Sequence, residues 1–263
     1  MKSLVCANQK GGVGKTTIIV HLAFYFAELG KKVVVIDIDH QMNASFTLSK
    51  YAIRISSSKM LFAPSEGYDF IKSSLAAREK AFDNKYSNIY LIPADPELLV
   101  LDKLSPEQLR SNLSQLFDAL NESNVDIILI DTPPALVPRL AAALMIADTV
   151  ISPIELEIYS IQGITLMFNT IRNIRDLKNR KLRFLGMLPN RVDNRNPRHK
   201  AHLKELKAAY PDLVIPMEIC LRGSIADAVS LKMPVWDIKK TAARPAGKEM
   251  KALSHYILNQ LEG

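Results

Sequence analysis

The sequence predicts an α/β protein with a doubly wound, mostly parallel sheet flanked by helices. Short, continuously apolar segments alternate with segments of helical periodicity, as expected when helices cover both faces of a parallel sheet. A glycine-rich loop joins the first apolar segment to a helix, and acidic residues stand where two later segments end. A chain of 263 residues can bury a sizeable core around one such sheet, so we expect a single domain over residues 1–263.

The composition is that of a globular protein, with 48% hydrophobic and 23% charged residues. The two cysteines, Cys6 and Cys220, are far apart in sequence and lack metal-ligand spacing, which favours a reducing compartment. No apolar run reaches the roughly 18 residues that a membrane span requires, and no signal peptide precedes the first predicted strand. We therefore expect a cytoplasmic protein without a transmembrane segment.

Charge is distributed unevenly along the chain. Residues 1–169 contain 15 Lys and Arg against 18 Asp and Glu, a net charge of −3. Residues 170–263 contain 19 against 9, a net charge of +10. A basic C-terminal half suggests a polyanionic partner. The alternative is a solvated basic surface that binds no partner.

The N-terminal loop reads N-Q-K-G-G-V-G-K-T-T over residues 8–17, after a predicted strand at 4–7. Glycines let the backbone wrap closely around phosphate oxygens, and the helix that follows adds the positive end of its dipole. Lys15 can then reach the β- and γ-phosphates of a nucleotide, and the Thr16 hydroxyl can ligate Mg²⁺. The first glycine of the pattern G-x-x-x-x-G-K-[ST] is missing, and an additional lysine, Lys10, lies near the start of the loop.

The second predicted strand, which ends in acidic residues, follows the loop and its helix. The pattern predicts a helix over 15–29, closed by Gly30, and an apolar strand over 32–37. The strand ends in D-I-D, so Asp37 and Asp39 leave its C-terminal end beside the phosphate-binding loop. Carboxylates at that position are well placed to handle Mg²⁺ and water.

The middle of the chain contains one clear strand. Residues 44–88 have a mixed pattern, which we interpret as loops around short helices. A strand is predicted over 88–93, followed by a helix over 97–104. Ser105 then has the features of a helix N-cap, with proline at the first helical position.

The second strand with an acidic end carries the second strong signal. An apolar strand over 125–130 delivers Asp131 at its C-terminal end, opposite Thr16, where a carboxylate can hold Mg²⁺ directly or through a water. The alternative is a core strand whose acid merely caps a turn. A further strand is predicted over 147–154, before a long helix.

The C-terminal half adds two predicted strands and a final helix. The strand over 184–193 ends near Asn190, whose side-chain amide can offer a donor and an acceptor to a purine edge. The alternative for Asn190 is the role of a plain turn residue. A later strand is predicted over 213–217, and an amphipathic core-packing helix over 242–261.

Three motifs resemble the ParA/MinD family of deviant Walker-A P-loop ATPases, in particular its short ParA/Soj-type partitioning members. They are K-G-G-V-G-K-T-T at 10–17, D-I-D-H-Q-M-N at 37–43, and D-T-P-P at 131–134 in the Walker-B position. The second motif departs from the usual D-x-D-P-Q-G-N, because His40 replaces the proline and Met42 the glycine. The resemblance covers nearly the whole chain and implies the P-loop NTPase fold of the family.

The resemblance also implies roles for individual residues. Lys15 would bind the phosphates, Asp39 would orient the attacking water, and Lys10 would reach across a dimer to the partner's phosphates; these three form the catalytic set. The implied Mg²⁺ site comprises Thr16, Asp37 and Asp131, with Asp37 in a supporting role. The implied nucleotide contacts are Lys10, Gly11, Gly12, Val13, Gly14, Lys15, Thr16, Thr17, Asn190, Pro216 and Met217.

For the whole protein, the resemblance implies a slow, partner-stimulated ATPase that uses ATP and Mg²⁺. It would form a homodimer when ATP is bound, bind DNA nonspecifically on the nucleoid, and segregate a plasmid, chromosome or other cargo with a ParB-like partner. The DNA-binding residues expected from their position are Arg195, Arg198, Arg222, Arg244 and Lys248. The alternative is a MinD-like positioning ATPase that acts on a membrane or a protein complex without DNA. Two features favour DNA partition: the C-terminal half is basic, and the final predicted helix is a core-packing helix rather than a membrane-targeting one.

Overall fold

The computed structural model describes residues 1–62, 70–75, 85–156 and 160–263, except for the side chains of 160–164. Parts of the mixed region at 44–88 therefore lie outside the described residues. The strands are β1 (Lys2–Cys6), β2 (Val33–Asp37), β3 (Ile89–Ile92), β4 (Ile127–Asp131), β5 (Thr149–Ile154), β6 (Arg183–Val192) and β7 (Ile219–Cys220). The α-helices are α1 (Lys15–Glu28), α2 (Asn43–Thr47), α3 (Ser57–Phe62), α4 (Pro106–Glu122), α5 (Pro138–Ile146), α6 (Ser160–Leu177), α7 (Pro197–Ala209), α8 (Gly223–Ser230) and α9 (Arg244–Glu262). Residues 70–75 are also helical. None of the helices in these ranges combines the length and the apolar character that crossing a membrane requires.

The described strands form one seven-stranded sheet with the order β3-β2-β4-β1-β5-β6-β7, and every pairing between them is parallel. The prediction of a doubly wound parallel sheet is thus confirmed. The register places Cys6 of β1 and Asp37 of β2 on either side of Asp131 in β4. Because parallel strands end at the same edge, the glycine-rich loop and both acidic strand ends meet there.

Helices cover both faces of the sheet, as alternate residues of β1 show. Leu4 packs in a buried cluster with residues of α1 and α9, whereas Val5 packs in a second cluster with residues of α4 and α5. Strands β2 and β4 are buried at every position, which explains their continuously apolar sequences. Burial of both faces holds the strands in register and fixes the edge from which the site residues emerge.

Local signals end α1 and begin α4 as the sequence predicts. Gly30 has a φ of 80° and donates its N–H to the Ala27 carbonyl, closing α1 in a conformation that glycine adopts without strain. The Ser105 hydroxyl accepts from the N–H of Gln108, whose side-chain oxygen accepts from the N–H of Ser105 in return. Both predictions are confirmed.

The strand predicted over 213–217 is wrong. Only Val214 forms an isolated bridge there, to Met187 of β6, and the paired strand β7 lies further along the chain. Pro216 explains the difference, because it has no N–H to donate to a ladder, so pairing stops before it and resumes after it.

The helix predicted over 97–104 is a 3₁₀ helix, Pro96–Lys103. Asp95 caps it by accepting from the N–H of Glu97, and the N–H of Leu98 donates to the Asp95 carbonyl three residues earlier. Ser105 begins the next helix almost immediately. The segment between Asp95 and Ser105 therefore forms a 3₁₀ helix rather than an α-helix.

Candidate functional site

The phosphate-binding loop forms the centre of the site. Gly12 has a φ of 77° and Gly14 a φ of 92°, conformations that L side chains rarely adopt. Gly14 also has no room for a side chain, because a Cβ there would overlap the amide nitrogen of Asn190. That amide donates to the Val13 carbonyl at 2.7 Å, so the end of β6 supports the loop. Lys15 follows directly, begins α1 and is buried.

Thr16 and Asp131 meet at the edge of the sheet. The Thr16 hydroxyl donates to Oδ2 of Asp131 at 2.7 Å. Asp131 is fully buried, and its other oxygen, Oδ1, has no hydrogen-bond partner among the described residues. Burial raises the pKa of Asp131 well above its usual range, and the nearby charge of Asp37 raises it further. A cation beside these oxygens would relieve both effects, so the pair fits Mg²⁺, a hard ion that prefers oxygen ligands.

Asp37 shapes the loop that carries Asp39. Its Oδ1 accepts from the N–H of Asp39 at 3.0 Å, and its Oδ2 accepts from the N–H and the hydroxyl of Ser45 at 2.8 and 2.7 Å. Burial raises the pKa of Asp37 to about 6, against the hydrogen bonds from Ser45, which lower it. Both oxygens are engaged by the chain itself, which is the geometry of a supporting group rather than of a direct metal ligand. Met42 in the same loop has a φ of 57°, the conformation that glycine adopts freely at the corresponding place in the D-x-D-P-Q-G-N pattern.

A cavity of about 240 Å³ opens between the phosphate-binding loop and the loop of Asp39. The Asp39 side chain is buried beside it and accepts from the N–H of Gln41 at 3.0 Å. The lining includes Gly11, Gly12, Gly14, Lys15, Thr16, Thr17 and Asp39. Most residues predicted to contact phosphates thus share one space with the residue predicted to orient water.

A second cavity, of about 280 Å³, shares several loop residues with the first. Its wall combines the amide of Asn190 with residues between Cys220 and Ala226, among them apolar side chains. A concave site with apolar walls and a few polar groups suits a flat heterocyclic base joined to phosphates. Pro216 and Met217 do not line this cavity, and Met217 packs against the core instead. No motif or periodicity in the sequence had indicated the segment after β7.

Lys10 lies at the mouth of the site in an ion pair within the chain. Its Nζ is 3.0 Å from Oε2 of Glu155. The other oxygen of this carboxylate is 2.9 Å from Nη1 of Arg191, which also donates to the Gly12 carbonyl at 3.1 Å. Glu155 therefore links the lysine to the rim of the loop. Sequence reasoning missed both Glu155 and Arg191, because only the pairing of β5 with β6 brings them together.

Arg139, at the start of α5, was also missed and anchors the loop of Asp39. Its side chain is only 1% exposed, and its Nε and Nη2 donate to the carboxylate of Asp102 at 2.8 and 3.0 Å. Its Nη1 donates to the Ile38 carbonyl at 2.8 Å. A bidentate arginine–carboxylate pair has a well-defined geometry, so the backbone next to Asp39 is held in place from α5.

The five residues predicted to bind DNA do not share one environment. Arg222 donates to Oε1 of Glu249 through Nε at 3.2 Å and Nη2 at 2.6 Å, and it lines the second cavity. Arg195 pairs with Asp193 at 3.2 Å but remains 92% exposed. The other three, Arg198, Arg244 and Lys248, are exposed. Arg222 thus has a carboxylate partner inside the fold, whereas the other four present a cation to solvent.

The chain is similar to known proteins over its whole length. The family model AAA_31, an AAA domain, matches residues 1–184. Protein IncC from Escherichia coli is 50% identical over 263 residues, which are 100% of this chain and 70% of IncC. The chromosome-partitioning ATPase Soj from Thermus thermophilus is 31% identical over 230 residues, which are 88% of this chain and 85% of Soj. The crystal structure of a plasmid partition protein from Borrelia burgdorferi superposes with a TM-score of 0.67 at 25% identity and covers 98% of both chains.

Proposed function

The chain belongs to the ParA/MinD family of P-loop ATPases, and we propose that it is a DNA-partition ATPase. It hydrolyses ATP with Mg²⁺, dimerises on ATP, binds DNA without sequence preference, and positions a plasmid, chromosome or other cargo with a ParB-like partner. The observation that carries the proposal is the contact of Thr16 with the buried Asp131, whose other oxygen has no partner among the described residues, beside a phosphate-binding loop. The 50% identity to IncC along the whole chain supports the same conclusion.

The loop and the start of α1 provide the phosphate contacts. Gly12 and Gly14 turn the loop at positive φ beside the cavity, and the first turn of α1 has no acidic residue that would compete with phosphate for the positive end of its dipole. Lys15 contributes its charge to the β- and γ-phosphates. Thr16 and Asp131 would hold Mg²⁺, which would supply positive charge to offset the negative charge of the phosphate oxygens.

The second cavity is the proposed adenine site. The side-chain nitrogen of Asn190 is committed to the Val13 carbonyl, so its oxygen is the group available to accept from the exocyclic amine of adenine. The apolar residues Leu221 and Ile225 in the wall can pack against the base. Recognition of the base thus depends on the segment after β7 rather than on Pro216 and Met217.

Hydrolysis requires two protomers in this proposal. Asp39 lies beside the phosphate cavity, where its carboxylate orients the attacking water. Lys10 leaves Glu155 and meets the phosphates of the partner subunit, as an arginine finger supplied in trans does in other P-loop enzymes. Turnover is therefore slow in an isolated protomer and rises when a partner protein stabilises the productive dimer.

Mixing two inactive variants tests the action of Lys10 across the dimer. Lys10→Ala and Asp39→Ala should each lose ATP hydrolysis, whereas an equimolar mixture should regain about a quarter of the wild-type rate. The reason is that half of the dimers are mixed, and each mixed dimer has one site with both its own Asp39 and a lysine from the other protomer. Phosphate release is measured at fixed total protein.

The control for the mixture is Lys2→Ala, which removes an exposed lysine from the opposite edge of the sheet. This variant should hydrolyse ATP at the wild-type rate. When it is mixed with Asp39→Ala, the mixture should show only the activity of the Lys2→Ala protomers, with no additional gain. A mixture of Lys10→Ala and Asp39→Ala that stays inactive, although both variants bind ATP and dimerise, would show that Lys10 acts within its own protomer.

A further inference from the structure

A basic cavity lies at the far end of β6 from the nucleotide site. It has a volume of about 510 Å³ and is formed by the second half of α6, the start of β6 and the end of α9. Its cationic lining residues are Arg172, Arg175, Arg180, Lys181 and Arg183. The other described lining residues are apolar apart from Gln260, and none is acidic.

The positive charge of this cavity is not balanced within the fold. Residues 171–183 contain six basic residues and one acid, Asp176. One of the six, Lys178, does not line the cavity and pairs with Glu107 at 2.8 Å, which leaves five cavity cations against Asp176. Asp176 is 3.6 Å from Arg172 and 3.0 Å from Arg175, so these two arginines share one carboxylate. In the part of the chain that the structure describes, no acidic side chain pairs with Arg180 or Lys181.

Interaction with the dipole of α6 accounts for only one of these cations. Arg175 lies in the last turn of α6, where a cation interacts favourably with the helix dipole. Arg180, Lys181 and Arg183 lie beyond the helix end. Among the hydrogen bonds of the described residues, the side chain of Arg183 has one neutral partner, the side-chain oxygen of Gln260 at 3.3 Å. Like charges gathered on one surface repel one another, and a polyanion bound across them would relieve that repulsion.

The aromatic residues of the cavity favour a phosphate backbone over unstacked bases. Phe168 and Phe184 pack on each other, with ring centroids 6.1 Å apart and planes inclined by 56°. Their packing leaves them poorly disposed to stack with bases, whereas the cationic side chains are exposed around the rim; Arg172, for example, is 62% exposed. Exposed cations without stacking partners suit the regularly spaced phosphates of a duplex.

We propose that this basic cavity is a second contact site for the phosphate backbone of double-stranded DNA, separate from the predicted set at residues 195–248. The proposal rests on the proposed function, since it assumes that the protein binds DNA. Arg183 and Asn190 stand at opposite ends of β6, so the cavity lies about 23 Å from the nucleotide site along the strand. The contact is therefore open with either nucleotide bound, and dimerisation on ATP strengthens binding by bringing two such cavities to one duplex.

The test measures binding of a fluorescent random-sequence duplex by anisotropy, at several salt concentrations, with ADP and with a non-hydrolysable ATP analogue. The variant Arg175→Gln/Arg180→Gln/Lys181→Gln removes three cations from the cavity. The control Arg54→Gln/Lys103→Gln/Arg110→Gln removes the same charge from exposed positions elsewhere. Each lost phosphate contact lowers the slope of log K against log salt by about 0.9, so the cavity variant should lose roughly 2 to 3 from the slope.

The cavity variant should bind DNA at least about tenfold more weakly in both nucleotide states, while the control changes by no more than about twofold. Its ATP affinity and dimerisation should equal those of the wild type, and Lys181→Glu alone should reproduce the direction if the triple variant folds poorly. Unchanged DNA affinity and slope in a folded cavity variant would overturn the inference but leave the proposed function intact. If the cavity variant bound duplex DNA like the wild type but lost binding to poly-glutamate or to anionic vesicles, the inference would be overturned as well. A wild-type protein that binds no duplex in any state would instead refute the proposed function.

Discussion

Replacing Gly14 by alanine should destabilise the nucleotide-free protein more than the same replacement at Gly12. Both glycines have positive φ, so each alanine costs about 1–2 kcal/mol in backbone strain. Nothing lies within 4 Å of a Cβ at Gly12, whereas a Cβ at Gly14 displaces the Asn190 amide from the Val13 carbonyl. Leaving those buried groups unpaired costs about a further 1–3 kcal/mol. We therefore expect a loss of about 1–2 kcal/mol for Gly12→Ala and about 2–5 kcal/mol for Gly14→Ala.

Urea unfolding of both variants without nucleotide measures this difference, and each serves as the control for the other. Asn190→Ala, combined with Gly14→Ala, adds a second check, because removing the amide makes room for the new Cβ. The double variant should be less destabilised than the sum of the two single variants. Equal losses for Gly12→Ala and Gly14→Ala, or strictly additive losses in the double variant, would refute the claim that β6 supports the loop through Asn190.

Three further predictions concern residues around the site. Asp102→Ala should lower the free energy of unfolding by about 3–5 kcal/mol in urea, because it leaves the buried Arg139 guanidinium without its carboxylate; a loss below about 1 kcal/mol would contradict this. Burial lowers the pKa of His21 to about 4, so the folded protein favours the neutral imidazole. The free energy of unfolding should therefore fall by about 3 kcal/mol as the pH drops from 7 to 4. His21→Gln should lose that part of the pH dependence, and an identical profile in the variant would exclude His21 as its source. Glu155→Gln should tighten ATP binding by about three- to tenfold in nucleotide titrations, because it removes a negative charge beside Lys10. Unchanged or weaker ATP binding would contradict this effect of the Glu155 charge.

The sheet and the phosphate-binding loop could be predicted because their signals are local. Continuous apolar segments specify strands buried on both faces, and the glycines at positive φ are visible in the sequence as glycines. Asp131 could be placed opposite Thr16 because parallel strands end at one edge. The strand predicted over 213–217 was wrong because an apolar run outweighed the missing N–H of Pro216 in the prediction.

The rest of the site depends on contacts between residues that are remote in sequence. Glu155 and Arg191 meet only because β5 pairs with β6, and Arg139 reaches Asp102 from another helix. The wall of the second cavity after β7 has no periodicity of its own. Such residues carry no local pattern, so their positions follow from the packed fold and not from the sequence around them.

ATP-gated DNA binding distinguishes a partition ATPase from a protein with an ungated basic surface. Binding of a random duplex is compared with ADP, with ATP, and with ATP for Asp39→Ala, each at two salt concentrations. We predict binding about a hundredfold tighter with ATP than with ADP, weakened by salt and sustained in Asp39→Ala, because dimerisation joins two basic surfaces and hydrolysis releases them. Equal affinity with ADP and ATP, or no binding in any state, would contradict the account of a nucleotide-gated partition ATPase.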